Sequence, residues 1–547
     1  MVATRSPSGS RSGAHRARPV ASMPRPAVLP ASTVLPAPTV LPVLTVLTVL
    51  AALTAVVAST AFAAADEPLR DKPVIWYEEG RLPTPPQEER DPNLLWDMIH
   101  DSVVLPIGRH TRPDRLVRRI GTIFGGEHVP PAVNVNALDE VPNSTWFTNR
   151  IGLYPMTPAE VAHGAPPGRG PETEGPWTVK SAKTEGVSPG FVIEDRRGDR
   201  YLIKFDPPGA LGMTTRAGVV SARILHAAGY HVPNDNVVTF LPDMLRLGED
   251  VRIKLEDGSK RPMTVEDLDL ILARVDPLPD GRYLAIASQY IAGRPVGCYS
   301  FHGRRESDPN DRIDHQHRRE QRGLRVFAAW LNHYDTKQHN TLDAYVRREG
   351  SDSYYLRHYL IDFASTLGTG AAGNVPRYGW EYTIDLLPVL GRTFALGLHE
   401  DPWRRLADPE PGSEVGYWES ERFDPQDFKP MQPNSAFANM THRDAYWAAK
   451  IVSAFGDDHL AAAVRAAEYR DPAEEAYVIR ILRERRDAIA RAYFDKIPPL
   501  DFFVVSGEDL CFRDLGVERG IYPASGTRYR ARVRGLCGDG GGCRRAG

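Results

Sequence analysis

Three polar side chains lie close together near the middle of the chain. Asp335, Lys337 and Asn340 belong to the stretch His333–Asn340, which follows a segment with helical spacing of apolar residues. Phosphoryl transfer from a nucleotide needs a carboxylate near the acceptor hydroxyl, a cation over the moving phosphate and oxygen ligands for a divalent metal. A short loop that leaves a helix can supply all three groups, so this stretch indicates a phosphate-handling loop.

A fourth polar residue follows a predicted β-hairpin. The hairpin comprises Thr341–Val346, a turn through Gly350, and Tyr354–Phe363, and it leads to Ile361-Asp362-Phe363. Asp362 is expected to end a strand, where it is placed to bridge a metal to phosphates. Taken singly, Asp335 and Asn340 could cap a helix end and Asp362 could be a turn residue. The ordered set favours the functional interpretation.

The set resembles the catalytic loop and the metal-binding motif of protein kinases. The family pattern is H-R-D-x-K-x-x-N, a hairpin and then D-F-G, whereas this chain has H-Y-D-T-K-Q-H-N and then D-F-A. The resemblance implies that Asp335 is the catalytic aspartate and Lys337 the loop lysine. It also implies that Asn340 and Asp362 ligate Mg²⁺ or Mn²⁺, with ATP as the nucleotide.

The elements that would cover a nucleotide lie upstream. Three β-compatible runs, Trp177–Lys183, Phe191–Asp195 and Arg200–Phe205, precede an amphipathic helix over Thr214–Ala228. Lys204 stands at the end of the third run and resembles the lysine that holds the α- and β-phosphates in kinases. The plainer alternative is an edge-strand lysine that faces water.

The turn between the first two runs stands where kinases have the loop that covers the phosphates. It spans Glu185–Gly190, and the resemblance implies nucleotide contacts from Gly186, Ser188 and Gly190. The turn has only two glycines and does not fit G-x-G-x-x-G, so an ordinary hairpin turn explains it almost as well. Its backbone N–H groups or a serine hydroxyl could still contact phosphate.

The lysine lacks the partner that the family provides. The helix after Lys204 contains no acidic residue, and Gly218 stands about where the family places a glutamate. Another carboxylate could serve, with Glu185, Glu266 and Asp269 as candidates, or the site is degraded.

Further departures concern control and subfamily. Tyr334 replaces the arginine that normally receives the phosphate of an activation loop, which suggests that such control is absent, and Ala364 replaces a glycine. Ser288–Gly297 resembles the hinge that hydrogen-bonds adenine, although an ordinary strand exit explains it as well. Overall the chain looks most similar to atypical bacterial kinase-like branches, such as HipA-like and spore-coat CotH-like proteins.

These elements predict an α+β, two-lobed, protein-kinase-like fold with an antiparallel-sheet N-lobe and a mainly helical C-lobe. Strong helices are expected at Thr441–Phe455 and Asp471–Tyr493. The expected divisions are a leader and signal peptide (1–65), a loop-rich extension (66–170), the N-lobe (171–297), the C-lobe (298–497) and a small β-like tail (498–547).

The beginning of the chain has the pattern of an export signal. An apolar run over Val43–Ala65 follows basic residues and ends in Ala61-Phe62-Ala63, a small-residue exit. We expect removal of this segment and a periplasmic or secreted protein, with a membrane anchor as the lesser alternative because the run is about long enough to span a bilayer.

Composition and charge exclude some functions. The 547 residues are 42% hydrophobic and 25% charged with a net charge of -3, which is typical of a globular protein. Basic residues are dispersed without interleaved aromatics, so no nucleic-acid partner is expected. His315 and His317 lie in a highly charged segment, which favours a solvated face over a metal site.

Four cysteines allow for a disulfide near the C-terminus. Cys298 lies mid-chain, and Cys511, Cys537 and Cys543 lie in the tail. An oxidising compartment permits a bond in the tail, with Cys537 and Cys543 as the natural pair, and a zinc site is the weaker interpretation.

The predicted function is transfer of the ATP γ-phosphate to a hydroxyl of an unknown protein or small molecule. Two alternatives stay open. One is a catalytically impaired pseudokinase that acts as an extracytoplasmic binding module, favoured by the missing glutamate and by the scarcity of ATP outside cells. The other is a kinase-like enzyme that transfers AMP.

Overall fold

The computed structural model describes most of the chain after residue 79. The described ranges are 80–89, 129–182, 188–254, 259–370, 373–385, 391–395, 400–405, 413–507 and 509–530, with four single positions between 96 and 104. They all belong to one compact unit. The predicted leader and signal peptide, Glu185, Gly186, Cys537 and Cys543 lie outside these residues. Within the described part of the chain, no helix is long and apolar enough to cross a membrane.

The strands are, in chain order, β1 (Trp177–Ala182), β2 (Gly190–Glu194), β3 (Arg200–Lys204), β4 (Asp235–Phe240), β5 (Leu245–Leu247), β6 (Arg252–Lys254), β7 (Lys260–Pro262), β8 (Tyr283–Gln289), β9 (Arg294–Pro295), β10 (Thr341–Arg347), β11 (Tyr354–Leu360), β12 (Thr369–Gly370), β13 (Gly373–Asn374), β14 (Leu500–Ser506) and β15 (Asp509–Asp514). Six of them form one sheet in the order β4-β8-β3-β2-β1-β5, in which only β1 and β5 pair in parallel. The hairpin β10–β11 takes up β9 as a third strand.

The helices are α1 (Pro158–His163), α2 (Met213–Ala228), α3 (Val265–Leu272), α4 (Arg319–Leu331), α5 (His442–Val452), α6 (Asp457–Arg465), α7 (Pro472–Phe494) and α8 (Leu515–Glu518). The two long predicted helices of the C-terminal half are present as α5 and α7. Thr441 caps α5 through a reciprocal bond with Asp444, and Asp471 caps α7 ahead of Pro472.

The two faces of the six-stranded sheet have different neighbours. Directly paired antiparallel residues project to the same side of a sheet. Ile203, Ala287 and Val238 therefore share one face, where they are buried with Leu268 and Leu272 of α3. This face forms a closed apolar core.

The opposite face carries polar residues and packs against α2. Lys204 pairs with Ile286, and Ser288 pairs with Asp235, so these four side chains project to this face. Helix α2 is buried along its whole length and contacts β4 and β8 as well as β12 and α6. It therefore lies between the sheet and the helical part of the molecule.

A buried aspartate begins α2. Asp206 accepts hydrogen bonds from the backbone N–H groups of Gly212, Thr214 and Thr215 and from both threonine hydroxyls. The first N–H groups of a helix have no partner within it, so this carboxylate satisfies them and complements the positive end of the helix dipole. The capping residue Asp206 lies only two positions after Lys204, so it connects the start of α2 to the end of β3.

The α+β class predicted from the sequence is confirmed by this mixture of an antiparallel sheet and helices. The two-lobed arrangement and the domain boundaries stay predictions. The predicted β-like tail contains β14 and β15, which form an antiparallel pair. Cys511 lies in β15 and is exposed, whereas Cys298 is buried elsewhere in the fold. The two do not form a disulfide with each other.

Candidate active site

Lys204 and Asp362 form an ion pair between the sheet and the end of the hairpin. Lys204 Nζ lies 2.8 Å from Asp362 Oδ1, across 158 positions of sequence. The lysine side chain is mostly buried, and the carboxylate is about half exposed. Burial lowers the pKa of Lys204, but attraction to Asp362 and the hydrogen bond outweigh it, so the pKa lies above its ordinary value.

The prediction that Asp362 ends a strand is wrong, because this residue stands in a turn after β11. Strand β11 stops at Leu360, and Asp362 has a φ of 60°, in the left-handed region. Non-glycine residues seldom adopt this conformation, and aspartate is among the more tolerant of them. The turn directs the carboxylate back toward β3.

The loop after α4 brings the three other predicted residues together. Lys337 Nζ lies 3.0 Å from both carboxylate oxygens of Asp335. The side-chain amide of Asn340 donates to Asp335 Oδ2 at 3.0 Å and to the Asp335 backbone carbonyl at 2.8 Å. The carboxylate is therefore fixed from two sides, and the oxygen of the Asn340 amide is the atom that can ligate a cation.

A buried histidine and a left-handed residue hold this loop in place. Helix α4 ends at Asn332, which has a φ of 48°. The ring of His333 packs edge-on against Phe363, 5.6 Å between centroids. Burial lowers the pKa of His333, although attraction to Asp335 opposes the shift, so burial favours the neutral ring.

The loop is also connected to the hairpin and to the segment after Asp362. Ile361 N–H donates to the Asn340 carbonyl at 3.0 Å, which places Asp362 next to the loop. The hydroxyl of Tyr334 donates to the Thr369 carbonyl at 2.9 Å. The tyrosine that replaces the family's arginine thus binds the segment after Asp362 without any phosphate.

A carboxylate that the sequence analysis missed lies on the same sheet face. Asp235 is 3% exposed, and its Oδ1 has no hydrogen-bond partner among the described residues. Burial raises its pKa to about 6. The hydrogen bond from Ser288 and the attraction of Lys204 and Arg223 lower the pKa, but burial outweighs them. Asp235 stands between two asparagines and resembles a turn in the sequence, so only the strand register reveals it.

The predicted phosphate-covering turn is partly described. Gly190 pairs directly with Lys204 across β2 and β3, and the Phe205 N–H donates to the Pro189 carbonyl at 3.3 Å. Ser188 is described beside them, whereas Gly186 lies outside the described residues. The end of this turn therefore adjoins the lysine, and its contacts with a nucleotide stay a prediction.

Two candidates for the missing acidic partner of Lys204 are wrong. Glu266 and Asp269 belong to α3, which packs on the sheet face opposite to the lysine. In their place stands Asp362, the residue expected to ligate the metal. At Gly218 a Cβ would lie 2.9 Å from Ile286 Cδ1 and 3.9 Å from the Ala364 nitrogen, so the position is close to Ile286 and in ordinary contact with the D-F-A segment.

A second group of charged residues is centred on the hairpin itself, where Asp343 and His358 are buried and Arg305 is mostly buried. Asp343 Oδ1 is 2.6 Å from His358 Nδ1, and Asp343 Oδ2 is 2.7 Å from Arg305 Nη1. Burial raises the pKa of Asp343, but His358 and Arg305 outweigh it and hold the pKa below its usual range. Trp146 of the extension stacks on His358 at 3.5 Å between centroids.

The prediction of a solvated face at His315 is wrong. This side chain is 2% exposed, and its Nε2 lies 2.8 Å from Asp311 Oδ2. Burial raises the pKa of Asp311, yet His315 and Arg318 outweigh it and leave the pKa well below its usual value. A charged segment that supplies its own counter-ions can be buried, which the hydrophilic sequence does not show.

The donors suit a metal carried by a nucleotide better than a protein-held metal. Among the described residues, no group of three or more His, Cys, Asp or Glu side chains could hold a metal ion. Mg²⁺ is commonly bound through one or two protein oxygens together with substrate phosphates. Asp362, half exposed, and the Asn340 amide oxygen are two such oxygens, so they fit a divalent metal with a nucleotide.

Comparisons with known proteins identify no family. No protein-family model matches the chain, and no curated protein matches it. Among solved structures, a match is the crystal structure of a Helicobacter pylori proinflammatory kinase, CtkA. It is 12% identical, covers 61% of this chain and 95% of that chain, and gives a TM-score of 0.30. A likeness of this size does not establish membership of a family, and the HipA-like or CotH-like branch stays a prediction.

Proposed function

We propose that this chain is an ATP-dependent phosphotransferase with a protein-kinase-like site. The observation that carries the proposal is the meeting of Lys204 with Asp362 at 2.8 Å, because it joins the strand lysine to the D-F-A motif across 158 positions. The loop with Asp335, Lys337 and Asn340 is hydrogen-bonded to the residue before Asp362. If each motif resembled a kinase only by chance, the strand lysine, the loop and the D-F-A segment would not be expected to lie together in the fold.

The proposal gives each of these side chains a role. Asp335 orients the acceptor hydroxyl and accepts its proton at a carboxylate oxygen, while Lys337 and Asn340 fix that carboxylate. Lys204 holds phosphate oxygens, and Asn340 and Asp362 hold the metal. When bound, ATP supplies the phosphoryl group and Mg²⁺ or Mn²⁺ neutralises its charge.

The first test is calorimetric titration of the purified full-length chain with Mg·ATP. We expect saturable binding that Asp362→Ala weakens and that Asp280→Ala, an exposed turn substitution in the same sheet region, leaves unchanged. Absence of binding by the unmodified chain contradicts the proposal.

The second test is transfer. Asp335→Ala should lower autophosphorylation, or transfer to a candidate acceptor, at least about 100-fold, in line with the loss of a general base. Because the Asp335 partners among the described residues, Lys337 and Asn340, lie within its own loop, the midpoint of urea denaturation should change little. Undiminished phosphoryl transfer by Asp335→Ala would contradict the assignment of Asp335 as the general base. A product mass larger by AMP rather than by phosphate identifies the AMP-transferring alternative.

A pseudokinase is the second candidate, and one observation favours it. Helix α2 supplies no carboxylate to Lys204, and the metal-binding aspartate is engaged with that lysine instead. Under this alternative, Mg·ATP binding is absent or occurs without transfer.

We propose export for the predicted location of the protein. The apolar run Val43–Ala65 supports it by its pattern alone. The mass of the chain recovered from outside the cytoplasm tests it: loss of about 65 residues is expected after signal peptide removal, and an intact N-terminus in the membrane fraction indicates the anchor.

A further inference from the structure

The buried carboxylate Asp235 has no evident role in holding the fold. It is 3% exposed at the first position of β4, and the hydroxyl of Ser288 is its hydrogen-bonding neighbour. Its Oδ1 has no partner among the described residues. A buried charge without full pairing costs stability, so its presence needs a reason.

The charged groups around Asp235 come from three elements. Lys204 belongs to β3, Arg223 to α2, and Asp362 to the turn after β11, and all three interact electrostatically with the carboxylate. The terminal nitrogens of Arg223 are engaged by the side chains of Asn234 and Asn236. Lys204 is the cation whose counter-ion can change.

A change of counter-ion is required if Asp362 is to bind anything else. In this structure Asp362 neutralises Lys204 at 2.8 Å. When that carboxylate turns to a cation, the mostly buried lysine loses its protein counter-ion and keeps only the phosphate oxygens that the proposed function assigns to it. Helix α2 offers no replacement, because it has no acidic residue and Gly218 has no space for a side chain without displacing Ile286.

We propose that Asp235 is the second counter-ion of Lys204, a positioning residue that pairs with the lysine once Asp362 is engaged by a metal-bound nucleotide. This inference rests on the proposed function, and it places on β4 the carboxylate that kinases carry on the following helix. Register supports it, since Lys204 and Asp235 project to the same face on either side of β8.

A double-mutant cycle on the protein without nucleotide tests the pairing directly. The full-length chain, Asp235→Asn, Asp362→Asn and the double variant are unfolded in urea. With Asp362 present, Asp235→Asn should be neutral or stabilising, because it removes a partly unsatisfied charge. In the Asp362→Asn background it should destabilise, because Lys204 then has no carboxylate. We expect about a tenfold departure from additivity in the unfolding equilibrium constant.

Controls make the cycle specific. Asp195→Asn replaces another buried aspartate of the same sheet, whose partners are Arg197 and nearby backbone N–H groups, so it should be additive with Asp362→Asn. Asp235→Ser, which is smaller, repeats the comparison in case the amide cannot be accommodated. Additive behaviour of both Asp235 variants with Asp362→Asn overturns the inference.

Titration with Mg·ATP separates failure of this inference from failure of the proposed function. If the proposal holds, Asp235→Asn weakens binding about tenfold and Asp195→Asn does not. Binding by the unmodified chain that Asp235→Asn leaves unchanged overturns the role of Asp235 and leaves the proposed function standing. Absence of binding by the unmodified chain contradicts the proposed function, while the cycle still reports on the pairing with Lys204.

Discussion

One group of charged side chains is built into the hairpin β10–β11 and another lies where the chain leaves it, and the two are stabilised in opposite ways. In the hairpin, Asp343 is fully buried and both of its oxygens have cationic or histidine partners. After the hairpin, Asp362 is about half exposed and pairs with Lys204, and Asp235 on the same sheet face as Lys204 is incompletely satisfied. The first group suits a fixed support, and the second suits a site whose pairing changes when a ligand binds.

The largest expected effect is at the buried support. Asp343→Ala leaves Arg305 and His358 without their carboxylate, so it should lower the free energy of unfolding by about 3–5 kcal/mol. The midpoint of urea denaturation measures this. The matched control is Asp352→Ala at the tip of the same hairpin, where the aspartate is 96% exposed and the substitution should change little. Equal effects of the two substitutions would remove the contrast.

A smaller loss is expected at the cap of α2. Asp206→Ala removes the acceptor of five hydrogen bonds at the start of this buried helix, and should cost about 2 kcal/mol, the upper end for a helix cap. Urea denaturation measures it, with the exposed Asp280→Ala as control. Because the cap stands next to Lys204, weaker Mg·ATP binding should accompany the loss; unchanged stability contradicts the assignment.

Substitution in the Lys204–Asp362 pair should affect ligand binding more than stability, unlike substitution of Asp343. Lys204→Met keeps the apolar stem but removes the charge, so Mg·ATP binding should weaken at least about tenfold, equivalent to about 1.4 kcal/mol, while the urea midpoint changes far less than in Asp343→Ala. Lys180→Met, at a more exposed lysine that pairs with Glu194 on the same sheet, is the control. A large loss of stability with unchanged binding would make Lys204 a structural residue like Asp343.

The smallest effect concerns pH. Burial raises the pKa of Asp235 to about 6, so the folded state binds a proton more tightly than the unfolded state does. This carboxyl therefore favours folding at low pH, and its contribution is lost as pH rises from about 4 through 6. Relative to the unmodified chain, Asp235→Asn should gain on the order of 1 kcal/mol over that interval.

Urea denaturation at pH 4.5 and 7.5 measures this difference, with Lys204, Arg223 and Asp362 as the charged groups that face the carboxyl. Asp195→Asn, measured at the same two pH values, shows how much of any change is common to buried aspartates. A constant difference between Asp235→Asn and the unmodified chain contradicts the raised pKa.

The sequence predicted the parts of the site that depend on local spacing. Asp335, Lys337 and Asn340 stand within one loop, and a loop of six residues brings its own side chains together. Alternation of apolar residues predicted the hairpin and the sheet, and apolar periodicity predicted α2.

The sequence could not predict which of several carboxylates, distant along the chain, pairs with a given cation. Lys204 meets Asp362 across 158 positions, and Asp235 lies near it because of the strand order β4-β8-β3; no local pattern encodes either. The same limit explains His315, whose counter-ion Asp311 makes burial possible in a hydrophilic segment. Asp235 was missed because its proximity to Lys204 depends on how β3 and β4 pair with β8, which the sequence around Asp235 does not show.

Gly218 has a consequence for how such a site can evolve. A glutamate at this position would require the Ile286 side chain to move, since even a Cβ would lie 2.9 Å from its Cδ1. The new carboxylate would be a third one, beside Asp235 and Asp362, for the cations Lys204 and Arg223. With Asp235 as the proposed second counter-ion, a glutamate on α2 and Asp235 are alternative partners for one lysine, so a chain that gained the glutamate could lose Asp235.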